Sequence, residues 1–343
     1  MEYLRLGKTE LTVTKPSMGC LPLQRCTVDE AVDLLRAAYD GGIRFFDTAN
    51  AYTDSEKKLG LALADVRGDI VIATKSGAPD YDGVLRHVEN SLKMLKTDHV
   101  DLLQLHNPDE FPDPDDPKGA YQGALEAKRR GWTNHVGITA HRLSVAKQAI
   151  ESGLYETLQF PFSYISAPED LALAEACKKA DMGFIAMKGL AGGLLTNAAA
   201  CHAFMGQYDN VVPIWGIQRP EELAEWLAVA EENPTMDDKL RAVIEADRAA
   251  LSGTFCRSCG YCMPCPMGIE IRNCARMDML LRRSPWQQYY TPEWTEKMER
   301  IEDCLGCGLC ASRCPYGLNP PELMQRNLAD WRTYGPSREN NEQ

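Results

Sequence analysis

The sequence predicts an α/β chain: a (β/α)8 TIM-type barrel followed by a small cysteine-rich module. Three observations carry this. Short apolar runs alternate with helix-period segments over residues 43–230, the pattern of strand-helix repeats around a parallel sheet. With a weaker run near residue 19 they make eight units in roughly 250 residues, the size of one closed barrel. Nine of the thirteen cysteines fall in the last quarter of the 343 residues, which sets a composition boundary near Ser252.

In chain order, the candidate strands are "SMGCL" near residue 19, "IRFF" (43–46), "DIVIAT" (69–74), "VDLLQL" (100–105), "HVGIT" (135–139), "TLQF" (157–160), "GFIAM" (183–187) and "VVPI" (211–214). The first helix has a capping-box start: Thr27 and Glu30 precede a face of Val28, Ala31, Val32, Leu35 and Ala38, and Gly41 with Gly42 stops it. After the eighth strand, Pro220 occupies a first-turn position ahead of Leu223, Trp226, Leu227 and Ala230 at helical spacing. A doubly wound open sheet is the alternative, but no Gly-x-Gly-x-x-Gly turn follows the early strands. The acidic, proline-rich stretch 107–119 follows the fourth strand and reads as a solvated loop without regular structure, a lid over the barrel mouth being the alternative. The expected division is a barrel over 1–234, a polar connecting helix over 235–252, the cysteine-rich module over 253–319, and a last helix around "PELMQRNLADW" (321–331) before a frayed tail in 320–343.

A formal net charge of -12 argues against a nucleic-acid partner, because phosphate binding needs a basic face. The opening residues carry charges throughout and lack the apolar core of a secretory signal, and no run reaches the length of a membrane span, so a cytoplasmic location away from membranes is expected. In a reducing compartment, closely spaced cysteines ligate metal more often than they form disulfides.

In such a barrel the chemistry sits where strands end. Three consecutive strands end in polar company: "FFDTANAY" places Asp47 at a strand end and Tyr52 in the next loop, "VIATK" ends on Lys75, and "LLQLHN" ends on His106. Each alone has an ordinary structural explanation as a cap, a snorkelling lysine or a hydrogen-bonded histidine. Together they converge on one mouth and form a proton-delivery set for a carbonyl. Lys75 would lower the pKa of the Tyr52 phenol, Asp47 would hold Lys75 charged, and His106 would orient the carbonyl oxygen.

The segments "YLRLGKTELTV", "DTANAY", "ATK", "LQLHN", "VGIT" and "AMKGLAGGLL" closely resemble the aldo-keto reductase superfamily over about residues 1–232. The resemblance implies an N-terminal hairpin closing the bottom of the barrel, an enzyme that interconverts a carbonyl and an alcohol, and a catalytic tetrad of Asp47, Tyr52, Lys75 and His106. It also implies a nicotinamide cofactor, NADPH or NADH. The positions that would hold it are Thr139, Gln159, Lys188, Gly189 and Gly192 in "KGLAGG", and Gly216, Gln218, Arg219 and Glu222 in "GIQRPEE". Arg219 is the cation there for a 2'-phosphate, which favours NADPH. Where many relatives carry Ser-Asn after the fifth strand, this chain has Thr139 and Ala140.

The run "CLGCGLCASRCP" is C-x2-C-x2-C-x3-C-P, the spacing that binds 4Fe-4S clusters in bacterial-type ferredoxins. Zinc competes for CxxC pairs but does not ask for a third cysteine followed by Cys-Pro. The earlier run, "CRSCGYCMPCP", has spacers of x2, x2 and x2. Two clusters with crossed ligands fit both runs: Cys256, Cys259 and Cys262 with Cys314, and Cys304, Cys307 and Cys310 with Cys265. One cluster with spare cysteines is the alternative, and Cys274 reads as a buried thiol. The whole chain resembles aldo-keto reductases that carry a C-terminal ferredoxin-like domain, here a mostly helical one. Because nicotinamide carries two electrons and a cluster one, the clusters point to a one-electron partner such as a ferredoxin-like protein, or to redox sensing. An electron-transfer protein in which the barrel, with or without a flavin, serves a one-electron partner is the competing reading.

Overall fold

The computed structural model describes residues 1–251, 255–257, 260–283, 286–314 and 316–339. The expected ligand Cys259 and the end of the expected tail lie outside them. By internal contacts the chain divides into two units, one of Met1–Gly189 with Asn197–Ile244 and one of Leu190–Thr196 with Glu245–Gln343.

The first unit opens on an antiparallel hairpin of β1 (Glu2–Arg5) and β2 (Thr12–Lys15). Eight parallel strands follow: β3 (Ser17–Gly19), β4 (Phe45–Asp47), β5 (Val71–Ser76), β6 (Val100–His106), β7 (Thr133–Thr139), β8 (Thr157–Pro161), β9 (Gly183–Met187) and β10 (Val211–Gly216). They pair in chain order and β10 closes on β3, so the barrel is complete and the open-sheet alternative falls. Helices α1 (Val28–Asp40), α2 (Ser55–Leu63), α3 (Tyr81–Leu95), α4 (Ala120–Arg129), α5 (Leu143–Ser152), α6 (Pro168–Lys179), α7 (Ala198–Gly206) and α8 (Pro220–Glu232) lie between and after the strands. The Thr27–Glu30 capping box forms as expected, and Pro220 opens α8. Residues 107–118 contain neither helix nor strand.

The bottom of the barrel is apolar. Leu6 and Val13 join Phe45, Ala73, Leu102, Ile185 and Val212 in one buried cluster, which places hairpin residues against the starts of the strands. The approach is close: a Cβ on Gly183 would sit 2.7 Å from Leu6 Cγ. Among the described residues, no helix is long and apolar enough to cross a membrane.

Helix α9 (Asp238–Ala250) carries the chain from the first unit into the second. Among its described residues the second unit is helical: α10 (Ile271–Cys274), α11 (Met277–Arg283), α12 (Pro292–Glu299), α13 (Leu309–Ser312) and α14 (Pro320–Glu339). Its core gathers Cys274, Met277, Leu281, Met298, Ile301, Met324 and Leu328. Asn327 Nδ2 donates to the Cys274 carbonyl at 2.9 Å, tying α14 to α10. Helix α14 runs past the expected end at Trp331. The Tyr290 hydroxyl donates to Trp331 O at 2.5 Å and accepts from Gly335 N at 2.7 Å, bridging one i to i+4 step, while its ring stacks on Trp331.

Candidate active site and cysteine recesses

Alternate residues of a strand face the same side, so a strand with a buried interior residue can present a polar one on the same face two positions later. Phe45 is followed by Asp47 on β4, Ala73 by Lys75 on β5, Leu102 by Gln104 on β6, and Thr157 by Gln159 on β8. Register brings these together: Asp47 pairs with Ala73, Lys75 with Gln104, and Gln159 with Thr139. A polar layer therefore lies above the apolar floor.

Lys75 and Asp47 are 1% and 2% exposed. Lys75 Nζ donates to Asp47 Oδ1 at 2.6 Å and to the Thr48 carbonyl at 2.6 Å. Gln104 Nε2 reaches the other carboxylate oxygen at 3.2 Å, and Gln159 Nε2 reaches Oδ1 at 3.4 Å. Burial pushes the Asp47 carboxyl up, and Lys75 and the two amides pull it back. A buried ion pair survives only when such further hydrogen bonds complete it.

Tyr52 sits in the loop after β4, its N–H donating to Ala49 O at 3.0 Å. Its ring meets the His106 ring edge-on, centroids 5.7 Å apart, and Lys75 Nζ lies 5.3 Å from the Tyr52 centroid. All four expected residues thus share one site. The expected acidified phenol is corrected. Desolvation first, then the Asp47 carboxylate, push the Tyr52 phenol above its ordinary value, because the Lys75 charge is directed at Asp47 and Thr48. Burial, with Lys75 adding repulsion, lowers His106 to about 3, so its imidazole is neutral at physiological pH.

The expected cofactor positions are placed as follows. Thr139 Oγ1 accepts the Asn107 N–H at 2.8 Å, and Gln159 Oε1 accepts Gln104 Nε2 at 2.9 Å. Lys188 has φ +58°. Gly189 packs under Trp215: a Cβ there would sit 2.4 Å from the indole. Gly216 is exposed at the end of β10. Gln218 Oε1 accepts Arg25 Nη1 at 3.0 Å, and Gln218 N donates to Glu222 Oε2 at 2.9 Å. Arg219 donates to Glu222 Oε1 at 2.8 Å through an exposed guanidinium. Gly192, with φ +68°, belongs to the second unit.

Two recesses in the second unit are lined by thiols. Cys256, Cys262 and Cys314 share the first, walled by Ala275 and Leu323. Cys265, Cys304, Cys307 and Cys310 share the second, with Cys262 on its wall as well. Two sets of thiols, each drawn from both sequence runs, suit sulfur-ligated clusters. Cys274 lies elsewhere, fully buried, its Sγ 3.7 Å from Lys297 O; burial pushes its thiol up to about 12, as expected of a structural cysteine.

The sequence profile of the Aldo/keto reductase family matches residues 17–201. The chain belongs to the aldo/keto reductase family. A second profile, the 4Fe-4S dicluster domain, matches residues 255–319, so this reductase carries an iron-sulfur domain that follows its barrel in sequence. It is 29% identical over 227 residues to the uncharacterized oxidoreductase YrpG of Bacillus subtilis, covering 58% of this chain and 69% of that one. It is 32% identical over 216 residues to L-galactose dehydrogenase of Arabidopsis thaliana, covering 57% and 67%. The solved aldo-keto reductase AKR11C1 of Bacillus halodurans matches the fold with a TM-score of 0.63 at 21% identity, over 72% of this chain and 96% of that one. These relationships make the reductase an oxidoreductase enzyme.

Two residues of the site escaped sequence reasoning. Gln104 joins Asp47 to Gln159; its signal was a buried amide interrupting the apolar run "LLQL", two positions before His106 and on the same face. Asn107, with φ +49°, locks the ends of β6 and β7 by accepting the His141 N–H at 2.8 Å and donating to Thr139. Its neighbour His106 gave no hint of that backbone turn.

Proposed function

We propose that this reductase interconverts an aldehyde or ketone and its alcohol, with NADPH or NADH as cofactor and Tyr52 as the proton donor. The observation that carries the proposal is the buried Lys75–Asp47 pair set beside Tyr52 and His106. A bound nicotinamide supplies the hydride; the protein supplies position and proton. Neutral His106 offers a ring N–H to the carbonyl oxygen and fixes its direction. Tyr52, held protonated by its surroundings, gives its hydroxyl proton to the same oxygen as negative charge develops there. Asp47, braced by Gln104 and Gln159, holds the Lys75 ammonium beneath the ring. Arg219 and Glu222 favour opposite cofactors, since a guanidinium suits a 2'-phosphate and a carboxylate a 2'-hydroxyl.

The thiol recesses support two 4Fe-4S clusters with crossed ligands, Cys256, Cys259, Cys262 and Cys314 for one and Cys304, Cys307, Cys310 and Cys265 for the other. An exposed Cys307 beside Leu305 at 70% and Leu309 at 40% exposure favours electron exchange with an outside one-electron protein over a purely structural role.

Tyr52→Phe is expected to reduce turnover of an aromatic aldehyde by at least about 100-fold while nicotinamide binding, followed by fluorescence, stays within about threefold. An unchanged rate refutes the assignment.

A further inference from the structure

Arg276 is a buried cation for which the described protein supplies little counter-charge. It is 4% exposed, between α10 and α11 of the second unit. Nη2 donates to Gly192 O at 2.5 Å and Nη1 to Ala191 O at 3.4 Å. Nε is buried without a hydrogen-bond partner. Among the described residues no carboxylate forms an ion pair with this guanidinium. Taking a guanidinium out of water is strongly unfavourable unless an opposite charge faces it. Two carbonyl dipoles and an orphaned N–H do not meet that requirement.

The missing charge has an address. Ala275, the preceding residue, lines the recess of Cys256, Cys262 and Cys314. Cys256 Sγ contacts Arg272 O at 3.6 Å, one turn earlier. Burial lowers the Arg276 pKa, and of the acidic groups that oppose this, Cys256 ranks first, ahead of Tyr289 and Glu270. A cluster bound by thiolates is anionic and gains a further negative charge on reduction.

We propose that Arg276 is the counter-charge of the cluster held by Cys256, Cys262 and Cys314, raising its reduction potential, while its other edge clamps the carbonyls of Ala191 and Gly192. The assignment rests on the two-cluster reading above. The guanidinium stabilises the reduced cluster more than the oxidised one, so its removal disfavours electron uptake. Because the same group holds the glycine turn at 191 and 192, cluster charge and turn geometry meet in one side chain.

The test uses the full-length chain purified anaerobically, with an iron count and a redox titration followed by electron paramagnetic resonance, for wild type, Arg276→Gln and Arg276→Lys. In Arg276→Gln, one of two midpoints is expected to fall by 59 mV or more, a tenfold or larger shift of a one-electron equilibrium. In Arg276→Lys, which keeps the charge, it stays within threefold. Both midpoints of Arg276→Gln within threefold of wild type, or equal shifts in both variants, overturn the proposal. If Arg276→Gln loses iron and Arg276→Lys retains it, the need for a cation is met and the proposal stands; loss in both makes the position structural and overturns it. A wild-type protein with iron for fewer than two clusters sinks the two-cluster reading instead, a failure visible before any variant is compared.

Discussion

The phenol of Tyr52 is kept protonated by desolvation and by the Asp47 carboxylate, while His106 is kept neutral by the same desolvation. Reduction of a carbonyl needs a proton donor, so the ground state already holds the form that direction uses. A raised phenol value leaves the donor form populated at every pH below its ordinary value of about 10, and a histidine at about 3 stays neutral above that. Carbonyl reduction measured at saturating nicotinamide is therefore expected to be level within about twofold from pH 5 to 9. Alcohol oxidation, which needs the phenolate, should climb with pH over the same range. A reduction rate that falls through about pH 7 would show an acidified phenol and contradict the site's electrostatics. Asp47, Lys75 and His106 were legible because each closes an apolar run at a strand end, and Tyr52 because it follows Asp47 in the loop after β4. Their protonation was not, because it depends on where Lys75 points, and a sequence carries no directions.

Among the elements, β7, β8 and α4 meet at Glu156. Its Oε1 accepts Lys128 Nζ at 2.7 Å and Val136 N at 3.1 Å, and its Oε2 pairs with His135 Nδ1 at 2.6 Å. Burial raises the carboxyl, but His135, Lys128 and Val136 outweigh it and bring the value from 4.5 to about 2. A depressed folded value means the stabilisation is whole above the unfolded value and vanishes as pH falls through about 2. Glu156→Gln should cost on the order of 2 kcal/mol at pH 7, and the gap between variant and wild type in urea unfolding should narrow to about half near pH 3 and close only as pH falls below about 2. An equal gap at both pH values would show that packing, not charge, sets the cost. Most elements could be read from local signals: period-two apolar runs, the Thr27 box, the proline of α8. The extension of α14 could not, because the hydroxyl that bridges its turn at Trp331 and Gly335 comes from Tyr290, 41 positions before Trp331 in sequence.

On the scale of the whole molecule, chain order and physical grouping part company. The glycine segment Leu190–Thr196 follows a barrel strand in sequence yet belongs by contacts to the iron-sulfur unit, anchored there by Arg276. No composition shift marks that regrouping, since glycines suit phosphate turns and tight packing equally. The cysteine runs behave similarly: each is contiguous in sequence, but each thiol recess draws on both. Under the crossed ligation proposed above, Cys265, the last cysteine of the first run, is the fourth ligand of the cluster built by the second, whose recess it shares with Cys304, Cys307 and Cys310. Cys265→Ala should therefore spare the cluster of Cys256, Cys262 and Cys314 and convert or empty the other, taking iron from about eight per chain toward about four to seven. Cys314→Ala should do the reverse. Electron paramagnetic resonance of the reduced variants separates the outcomes: if Cys265→Ala removes the signal that Arg276→Gln shifts, ligands run along the sequence rather than across it, and the crossed assignment is wrong.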